Sequence, residues 1–318
     1  MKEVISIILP VYGRSELLET ALQSVARQSN PEWSLLIADD GSDKETQMYI
    51  KQWVDARQDA RIRWIKRERN LGLFDNLNKA IEEAPNEWIL LLCSDDVLLP
   101  NAIDRIQECI QEWPESQLIL STFESIDSVG GSRPPDSAEH HDQIAETSGL
   151  VSPNVFIPAL LKLGSVNGNL TGMAFNRALW REAGPFRKDW RHAADWEWLI
   201  RAGEIMPVTL NRETIAKVRT HTKQLSNENR RNGHELMEVS EVVRILLSHP
   251  LLNSQEDRHD WAAHIMQFQL WNVLKSVKTN SVASTISALK AIKNSAGIWQ
   301  TTKSMLRWLP ERWNRRYK

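Results

Sequence analysis

Cysteine, long apolar runs and excess charge are all scarce in this chain, and each absence argues against a class of protein. Its 318 residues include two cysteines, Cys93 and Cys109, which argues against a disulfide framework and fits a reducing compartment. No apolar run has the length needed to span a membrane. The run that ends at Pro10 is too short for a signal peptide. We therefore predict a cytoplasmic protein.

A net charge of −2, with 25% charged and 42% hydrophobic residues, describes an ordinary globular protein with no electrostatic preference for nucleic acid. Glycine is also scarce where a dinucleotide-binding protein needs it. The first apolar strand is followed by Pro10-Val11-Tyr12-Gly13-Arg14, without the Gly-x-Gly-x-x-Gly motif that lets the backbone approach a pyrophosphate. The sequence therefore argues against a nucleic-acid partner and against a dinucleotide-dependent oxidoreductase.

The stretch from Trp88 to Asp96 has the clearest chemical signature. Trp88 to Leu92 are five apolar residues in a row, which predicts a strand buried on both faces. Asp95 and Asp96 follow, and two adjacent carboxylates are costly to bury unless a cation lies beside them. Because ligands bind at the carboxyl ends of strands in open α/β sheets, Mg²⁺ or Mn²⁺ bridging to a diphosphate fits this place. The plainer alternative is a solvated turn that caps the next helix.

Strand-like and helix-like segments alternate with short links over the first 125 residues. We predict strands at 4–10, 34–38, 61–66, 88–92 and 117–123, and helices at about 17–25, 44–58, 73–81 and 101–113. This alternation predicts an α/β fold with a Rossmann-like, mostly parallel sheet flanked by helices. The acidic runs at Asp40 and Asp96 would then meet at one edge of the sheet. Further on, we predict a loop at 127–149, helices at 155–163 and 192–203, an extended segment at 167–175 and mostly helix after 235.

Five short motifs carry a family resemblance. They are Ile7-Ile8-Leu9-Pro10-Val11-Tyr12, Ala38-Asp39-Asp40-Gly41-Ser42, Asn70-Leu71-Gly72, Ser94-Asp95-Asp96 and Ala194-Asp195. Their order and spacing resemble those of family 2 inverting glycosyltransferases of the GT-A fold, nucleotide-diphospho-sugar transferases. The resemblance covers about residues 1–226. It implies a GT-A domain there, with a nucleotide-binding half at about 1–125 and an acceptor half at about 150–226, followed by a helical region at 227–318.

The resemblance also implies a donor nucleotide site. From the residues alone, Asp39 or Asp40 can accept a hydrogen bond from a ring N–H of a base, although a plain Asp-Gly turn is the simpler explanation. By similarity to the family, the donor would contact Pro10, Val11, Tyr12, Arg14, Asp39, Asp40, Asn70, Gly72, Asn78 and Asp95. The family often has Arg-Asn where this chain has Leu77-Asn78, so one expected cation is missing here.

A divalent metal, Mn²⁺ or Mg²⁺, is the cofactor that the resemblance implies. It makes Asp96 the direct metal ligand and turns Asp95 toward the sugar or ribose. His221 is a candidate metal ligand or phosphate donor, and Arg219 is a candidate phosphate partner; a solvated loop explains this Arg-x-His nearly as well. Cys93 stands where the family frequently has Asp, and we predict a buried strand residue there and not a nucleophile.

Asp195 is the candidate general base, since an inverting transfer needs a carboxylate facing the acceptor hydroxyl. The family has an acidic pair before a helix, and here Ala194 precedes the single acid. Trp196 and Trp198 could present faces to an acceptor sugar, with core packing as the alternative. Glu197 is the competing carboxylate, but adjacent helical positions differ by about 100°, so 195 and 197 cannot both face one pocket.

Residues 303–318 form a basic, tryptophan-containing tail, with six basic residues and one acidic residue. Such a composition predicts peripheral contact with an anionic membrane at its inner face, or else a solvated basic tail. The whole sequence thus predicts a metal-dependent inverting glycosyltransferase that moves a sugar from a nucleotide-diphosphate donor to a glycan or lipid-linked acceptor, such as a surface polysaccharide. The alternatives are a sugar nucleotidyltransferase, which would need a glycine-rich basic loop after strand one, and a catalytically decayed glycan-binding or scaffold protein.

Overall fold

A computed structural model describes residues 3–13, 15–133, 138–167, 169–222, 224–277 and 281–316. Its strands are Ile5–Val11 (β1), Trp33–Asp39 (β2), Ile62–Lys66 (β3), Trp88–Leu91 (β4), Val97–Leu98 (β5), Leu118–Ile126 (β6), Ser132–Arg133 (β7), Gly149–Val151 (β8), Met173–Asn176 (β9) and Val208–Arg219 (β10). Its helices are Ser15–Ala26 (α1), Lys44–Arg57 (α2), Leu73–Glu83 (α3), Ala102–Glu112 (α4), Ala138–Asp142 (α5), Pro153–Lys162 (α6), Arg177–Ala183 (α7), Ala194–Ile205 (α8), Leu225–Arg231 (α9), His234–Leu247 (α10), Arg258–Ser276 (α11), Val282–Ala296 (α12) and Ile298–Arg316 (α13).

The first half of the chain forms the predicted parallel sheet. Strands β3, β2, β1 and β4 lie side by side in that order and run parallel, with α/β crossovers between them. All seven residues of β1 are buried, as expected for a strand covered on both faces. The register pairs Val11 with Asp39. The carboxyl ends of β1 and β2 therefore lie together at one edge, as the sequence predicted.

Beyond β4 the sheet becomes mixed. Strand β9 lies between β4 and β6 and is antiparallel to both, and β10 is parallel to β6 but antiparallel to β5 and β8. The strand at 208–219 was not predicted, because Asn211-Arg212-Glu213 interrupts the apolar alternation. The structure keeps β10 continuous by register shifts between Asn211 and Thr214 and between Thr214 and Ala216. The predicted loop at 127–149 also contains β7 and α5 and ends at the start of β8.

The C-terminal helices share a core with the second half of the sheet. Helix α10 packs against α6 and α8, and α11 packs against α6. Val242, Val243 and Leu246 of α10 are fully buried in the same hydrophobic cluster as Phe156 of α6 and Trp198 of α8. Residues on both sides of position 226 therefore belong to one packed unit. Of the helices in the part of the chain described, none is both long and apolar enough to cross a bilayer.

Candidate active site

Asp39 and Asp40 end strand β2, and their carboxylates have different surroundings. Asp39 is fully buried; its Oδ1 accepts a hydrogen bond from the Ser42 backbone N–H at 2.9 Å, while its Oδ2 has no partner in the protein. Asp40 accepts from Leu71 N–H at 2.8 Å and from Gly72 N–H at 3.0 Å. Burial raises the pKa of the Asp40 carboxyl, and these two hydrogen bonds oppose the rise. Asp39 thus keeps a free buried acceptor, whereas Asp40 holds the turn at 70–72.

The turn at Gly41 and the end of β1 shape the edge of this pocket. Gly41 has φ +73°, and a Cβ there would lie 2.8 Å from the carbonyl carbon of Arg69, so only glycine lets the two chain segments meet. The Tyr12 side chain is 59% exposed at the end of β1, whereas Pro10 and Val11 are buried. Among the predicted donor residues, Arg14 lies outside those that the structure describes.

The predicted donor contact of Asn78 is not supported. Its amide donates to Phe186 O at 2.8 Å and accepts from Phe186 N–H at 3.0 Å, which fastens α3 to the segment before α8. Leu77, beside it, is fully buried in the core. Asn70 is exposed, and its side chain accepts from Gly72 N–H at 2.8 Å, so it shapes the turn next to Asp40.

The acidic cluster after β4 contains Cys93, Asp95 and Asp96, whose ligand atoms all lie within 4.8 Å of one another. Asp96 is 1% exposed. One of its oxygens accepts from Thr171 Oγ1 at 2.5 Å, and the other accepts from the backbone N–H of Arg219 at 2.8 Å. Burial, reinforced by the neighbouring Asp95, raises the pKa of Asp96 to about 8. The two oxygens of Asp96 therefore hold the segment before β9 and the end of β10 against this loop.

Asp95 is the more accessible carboxylate of the pair. Its Oδ2 lies 2.9 Å from Nε2 of His221, and the side chains keep exposures of 15% and 9%. A carboxylate and an imidazole facing each other at a polar strand end are ligands that Mn²⁺ and Mg²⁺ sites can use. The contact joins the loop after β4 to the segment after β10. Asp95 and His221 are therefore both candidate ligands by geometry, and the metal role predicted for Asp96, which belongs to the same acidic cluster, stays a prediction.

Cys93 and Arg219 are both held by hydrogen bonds within the protein. The Cys93 N–H donates to Thr171 Oγ1 at 2.9 Å, and burial, with help from Asp96 and Asp95, raises the pKa of its thiol well above the usual value. A thiol held protonated in this way is a poor nucleophile, in keeping with that part of the prediction. The predicted buried strand position is wrong, because β4 ends at Leu91 and Cys93 lies half-buried in the loop after it. The Arg219 guanidinium is 6% exposed and donates to the carbonyls of Asp95, Asp127 and Ser128. The predicted phosphate contact of Arg219 is therefore not supported.

Asp195 lies in the first turn of α8 and is partly buried. Loss of hydration raises the pKa of its carboxyl; the nearby His192 opposes this, and Glu238 adds to it. The negative charge of Asp195 adds a small part to the raised pKa of the Cys93 thiol, so its electrostatic influence reaches the acidic cluster. A carboxylate with a raised pKa is a stronger base than an ordinary one, which suits a group that accepts a proton.

Glu197, the competing carboxylate, has a different role. It is buried and pairs with Arg201 at 2.8 Å and with Arg187 at 3.2 Å. Helical geometry predicted that residues 195 and 197 do not face the same pocket, and these contacts of Glu197 agree with that prediction.

The two tryptophans pack in the core and offer no open face to a sugar. Trp198 is fully buried, with ring centroids 5.0 Å from Phe175 and 5.3 Å from Phe186, and its Nε1 donates to Gly184 O at 3.0 Å. Trp196 is 7% exposed in the same cluster. The acceptor contacts predicted for them are therefore not supported, and the core-packing alternative accounts for both.

Thr171 is a residue that sequence reasoning missed. Its hydroxyl donates to Asp96 and accepts from the Cys93 N–H, so it fixes the acidic loop. A single threonine in an extended, glycine-bearing segment carries no distinguishing pattern. Its role becomes visible only because β9 runs antiparallel to β4.

Comparisons with known proteins match the chain to a family, to curated relatives and to solved structures. The family described as Glycosyl transferase family 2 matches residues 6–176. Among curated relatives, the uncharacterized protein y4gI of Sinorhizobium fredii is 32% identical over 203 residues, which is 63% of this chain and 20% of y4gI. The UDP-Glc:alpha-D-GlcNAc-diphosphoundecaprenol beta-1,3-glucosyltransferase WfgD of Escherichia coli is 29% identical over 101 residues, covering 32% of this chain and 38% of WfgD.

Solved structures share the fold over nearly the whole chain. S. aureus TarS 1-349 in complex with UDP-GlcNAc has a TM-score of 0.66 at 17% identity, covering 93% of this chain and 82% of TarS 1-349. The mannosyltransferase PcManGT from Pyrobaculum calidifontis, in complex with GDP-Man and Mn²⁺, has a TM-score of 0.56 at 14% identity, covering 96% and 88%. By contrast, the matched regions span 20% of y4gI and 38% of WfgD, well under the length of these curated relatives.

Proposed function

The chain belongs to glycosyl transferase family 2, and from this we propose that it is an inverting, metal-dependent glycosyltransferase that uses a nucleoside-diphosphate sugar. The observation that carries the proposal is the contact between Asp95 and His221 at the polar end of the sheet. Asp195, whose carboxyl has a pKa raised by burial, acts electrostatically on Cys93 of the same acidic cluster. This arrangement supplies what a transfer from a diphosphate leaving group to a hydroxyl requires.

We propose a uridine diphosphate sugar as the donor. The free Oδ2 of Asp39 is one buried acceptor, which suits the single ring N–H of uracil, flanked by two carbonyls. Guanine would present a ring N–H and an amino group together and would call for two acceptors, but Asp39 Oδ1 already accepts from Ser42. The exposed Tyr12 ring at the neighbouring strand end gives the base a face to stack on. The UDP-GlcNAc complex of TarS supports this choice.

Asp95 and His221 would hold the divalent cation, with Asp96 positioning the loop. Carboxylate and imidazole ligands fit Mn²⁺ well and Mg²⁺ acceptably, and the Mn²⁺ complex of PcManGT supports a metal in this fold. A cation bound there would neutralise negative charge on the departing diphosphate. Asp195 would take the proton from the acceptor hydroxyl as that oxygen attacks the anomeric carbon from the side opposite the leaving group.

The acceptor that we propose is a lipid-linked saccharide at the inner face of the membrane. The name of WfgD specifies a GlcNAc-diphosphoundecaprenol acceptor for that relative. On this chain, Trp299, Lys303 and Arg307, together with Asp260 of α11, line a depression of about 310 Å³, and the Trp299 side chain is 74% exposed. An exposed tryptophan next to two cations suits the interface of an anionic membrane.

A thermal-shift panel tests the donor and metal assignments. Selective binding to the folded state raises the melting temperature, so we expect UDP with Mn²⁺ to stabilise the protein more than UDP alone or GDP with Mn²⁺. Asp95→Asn should lose the Mn²⁺-dependent part of the shift. Asp39→Ala should lose the preference for UDP over GDP. Asp55→Asn, at an exposed carboxylate paired with Lys51 on α2, is the control and should respond as the wild type does.

Two outcomes would contradict the proposal. One is a wild-type protein that UDP stabilises equally with and without Mn²⁺, and the other is an Asp95→Asn variant that keeps the full metal-dependent shift. Either result would remove the Asp95–His221 pair as the metal site.

A further inference from the structure

A buried carboxylate from the C-terminal helices binds the backbone just before the candidate base. Glu238, on α10, accepts hydrogen bonds from three successive backbone N–H groups: Arg191 at 2.8 Å, His192 at 2.7 Å and Ala193 at 2.8 Å. Its side chain is 8% exposed. Hydrogen bonds from N–H groups to an ionised carboxylate are about twice as strong as neutral ones, and three of them fix the path of a short segment.

A second contact holds the same segment from the other side. The amide of Asn229, on α9 and 3% exposed, donates to the carbonyl of Arg191 at 2.6 Å. The N–H and the C=O of residue 191 are therefore both bound by side chains from beyond position 226. These contacts are long-range in sequence, with separations of 45 to 47 residues for the Glu238 bonds.

The segment matters because helix α8 begins directly after it. Ala193 is the residue that caps α8, and its side chain makes no capping hydrogen bond. The first N–H groups of a helix need acceptors from elsewhere, and Glu238 supplies one for Ala193 together with the two N–H groups before it. Asp195 is the second residue of α8. The position of its carboxylate thus depends on where Glu238 holds the start of the helix.

We propose that Glu238 is a positioning residue for the general base Asp195, an assignment that rests on the proposed glycosyl transfer. It acts through the backbone at 191–193 and touches neither donor nor acceptor. A base displaced by about 1 Å can lose roughly 100-fold in rate, so loosening this segment costs turnover even where the fold survives. The helical C-terminal region is then part of the catalytic unit.

Glu235 provides a matched control. It lies one turn earlier on the same helix and is 7% exposed. It accepts from the Gln269 side chain at 2.7 Å and pairs with Arg230 at 2.8 Å. Both glutamates are buried acceptors on α10, but among the contacts described only Glu238 reaches the segment before Asp195.

The experiment compares Glu238→Gln with Glu235→Gln in the full chain. Glutamine keeps one acceptor oxygen and turns an NH₂ group toward N–H donors, so Glu238→Gln should release part of 191–193. We expect faster hydrogen–deuterium exchange in the peptide covering 190–196 and a 10- to 100-fold fall in kcat. The reaction is followed as UDP release from a UDP-sugar with water as the acceptor, whose oxygen takes the sugar and whose proton passes to the base. The Kd for UDP with Mn²⁺ should stay unchanged. Glu235→Gln should lower the melting temperature and leave kcat and the exchange at 190–196 as in the wild type.

The possible failures can be told apart. No UDP release from any UDP-sugar by the wild type would overturn the proposed function itself. Normal kcat in Glu238→Gln, with or without faster exchange, would overturn the positioning role alone, and so would an equal kcat loss in Glu235→Gln. If Glu238→Gln does not fold, Glu238→Asp keeps the charge with a shorter reach. It should then show faster exchange at 190–196 and a smaller loss of kcat, and a wild-type kcat in that variant would also overturn the role.

Discussion

In both acidic pairs of the chain, one carboxylate is saturated by protein donors while its neighbour keeps a more available oxygen. Asp40 accepts two backbone N–H groups, and Asp39 retains an unpaired buried oxygen. Asp96 accepts from a hydroxyl and a backbone N–H, and Asp95 faces His221. A carboxylate whose oxygens already accept strong hydrogen bonds contributes to the fold, and its neighbour is left for the ligand. This division explains why adjacent, chemically identical residues carry different proposed roles.

At the residue scale, Asp195→Asn tests the candidate base. Asparagine has nearly the same shape but cannot take a proton, so transfer should fall by about 10²- to 10⁴-fold. Binding of UDP and Mn²⁺ should not change, because Asp195 acts only on the acceptor hydroxyl. Kinetics of UDP release and a binding titration on the same preparation measure both quantities. Wild-type turnover in this variant would rule out Asp195 as the base.

Glu197→Gln serves as the neighbouring control. Glu197 is buried and paired with Arg201 and Arg187, and removing one partner of a buried pair leaves uncompensated charge. We expect a lower melting temperature and near-normal turnover per folded molecule. A dead but stable Glu197→Gln variant would transfer the catalytic role from 195 to 197.

The raised pKa of Asp195 predicts a pH dependence with opposite signs for activity and stability. Activity needs the carboxylate, so the rate should fall on acidification through a pKa above the ordinary 3.8. The folded state holds this proton more tightly than the unfolded state does. The resulting stabilisation is therefore complete below the unfolded pKa and is lost as pH rises through the folded pKa. Asp195→Asn, which mimics the protonated form, should melt no lower than the wild type at pH 8, whereas a simple capping role predicts lower stability.

At the scale of elements, α13 has two distinct faces. Thr301 and Met305 are buried, and Trp308 packs edge-on against Phe268 of α11, with centroids 4.7 Å apart. On the other face, Leu306 is 60% exposed, and Lys303 and Arg307 line the depression that also contains Trp299. The tail predicted from the sequence therefore includes residues that hold the fold, and only part of it is available to a membrane. Tyr317 and Lys318 lie outside the described residues.

Charge reversal on the exposed face of α13 tests the membrane contact without removing the packed side. Lys303→Glu with Arg307→Glu should lower co-sedimentation with anionic vesicles, and added salt should lower it for the wild type, because screening weakens attraction at the surface. Lys44→Glu with Lys51→Glu, on exposed positions of α2, makes the same change in net charge and should sediment like the wild type. Equal sedimentation of all three proteins would leave α13 without a membrane role.

At the scale of the whole molecule, the shared core predicts that residues 1–226 do not fold alone. Truncation there removes Val242, Val243 and Leu246, which are fully buried against the sheet half of the protein. Burying each such side chain contributes roughly 1.5–3 kcal/mol, and whole domains have only about 5–15 kcal/mol of net stability. We expect the truncated chain to aggregate or to melt without a cooperative transition in circular dichroism. A cooperative, monomeric 1–226 fragment would instead show an autonomous domain.

The sequence alone determined the features that depend on neighbouring residues. The alternation of apolar strands with amphipathic helices predicted the α/β class and the parallel strands β1 to β4, since periodicity is a local property. The strand-end positions of Asp39, Asp40, Asp95 and Asp96 followed from the same pattern, and the motifs indicated the family. The strand at 208–219 was not predicted from the sequence, because the bulge in its middle breaks that periodicity.

Which of these side chains remains available to a ligand depends on how distant segments pack in the folded protein. The donors that saturate Asp40 and Asp96 come from positions 31 and 123 residues away, and the carboxylate that holds the start of α8 comes from a helix beyond position 226. Trp198 and Asn78 also lie in sequence motifs that suit ligand binding. In the folded protein, however, Trp198 packs against Phe175 and Asn78 is hydrogen-bonded to Phe186. Hydrogen-bond saturation and burial depend on which distant segments pack together, and no local pattern in the chain encodes that.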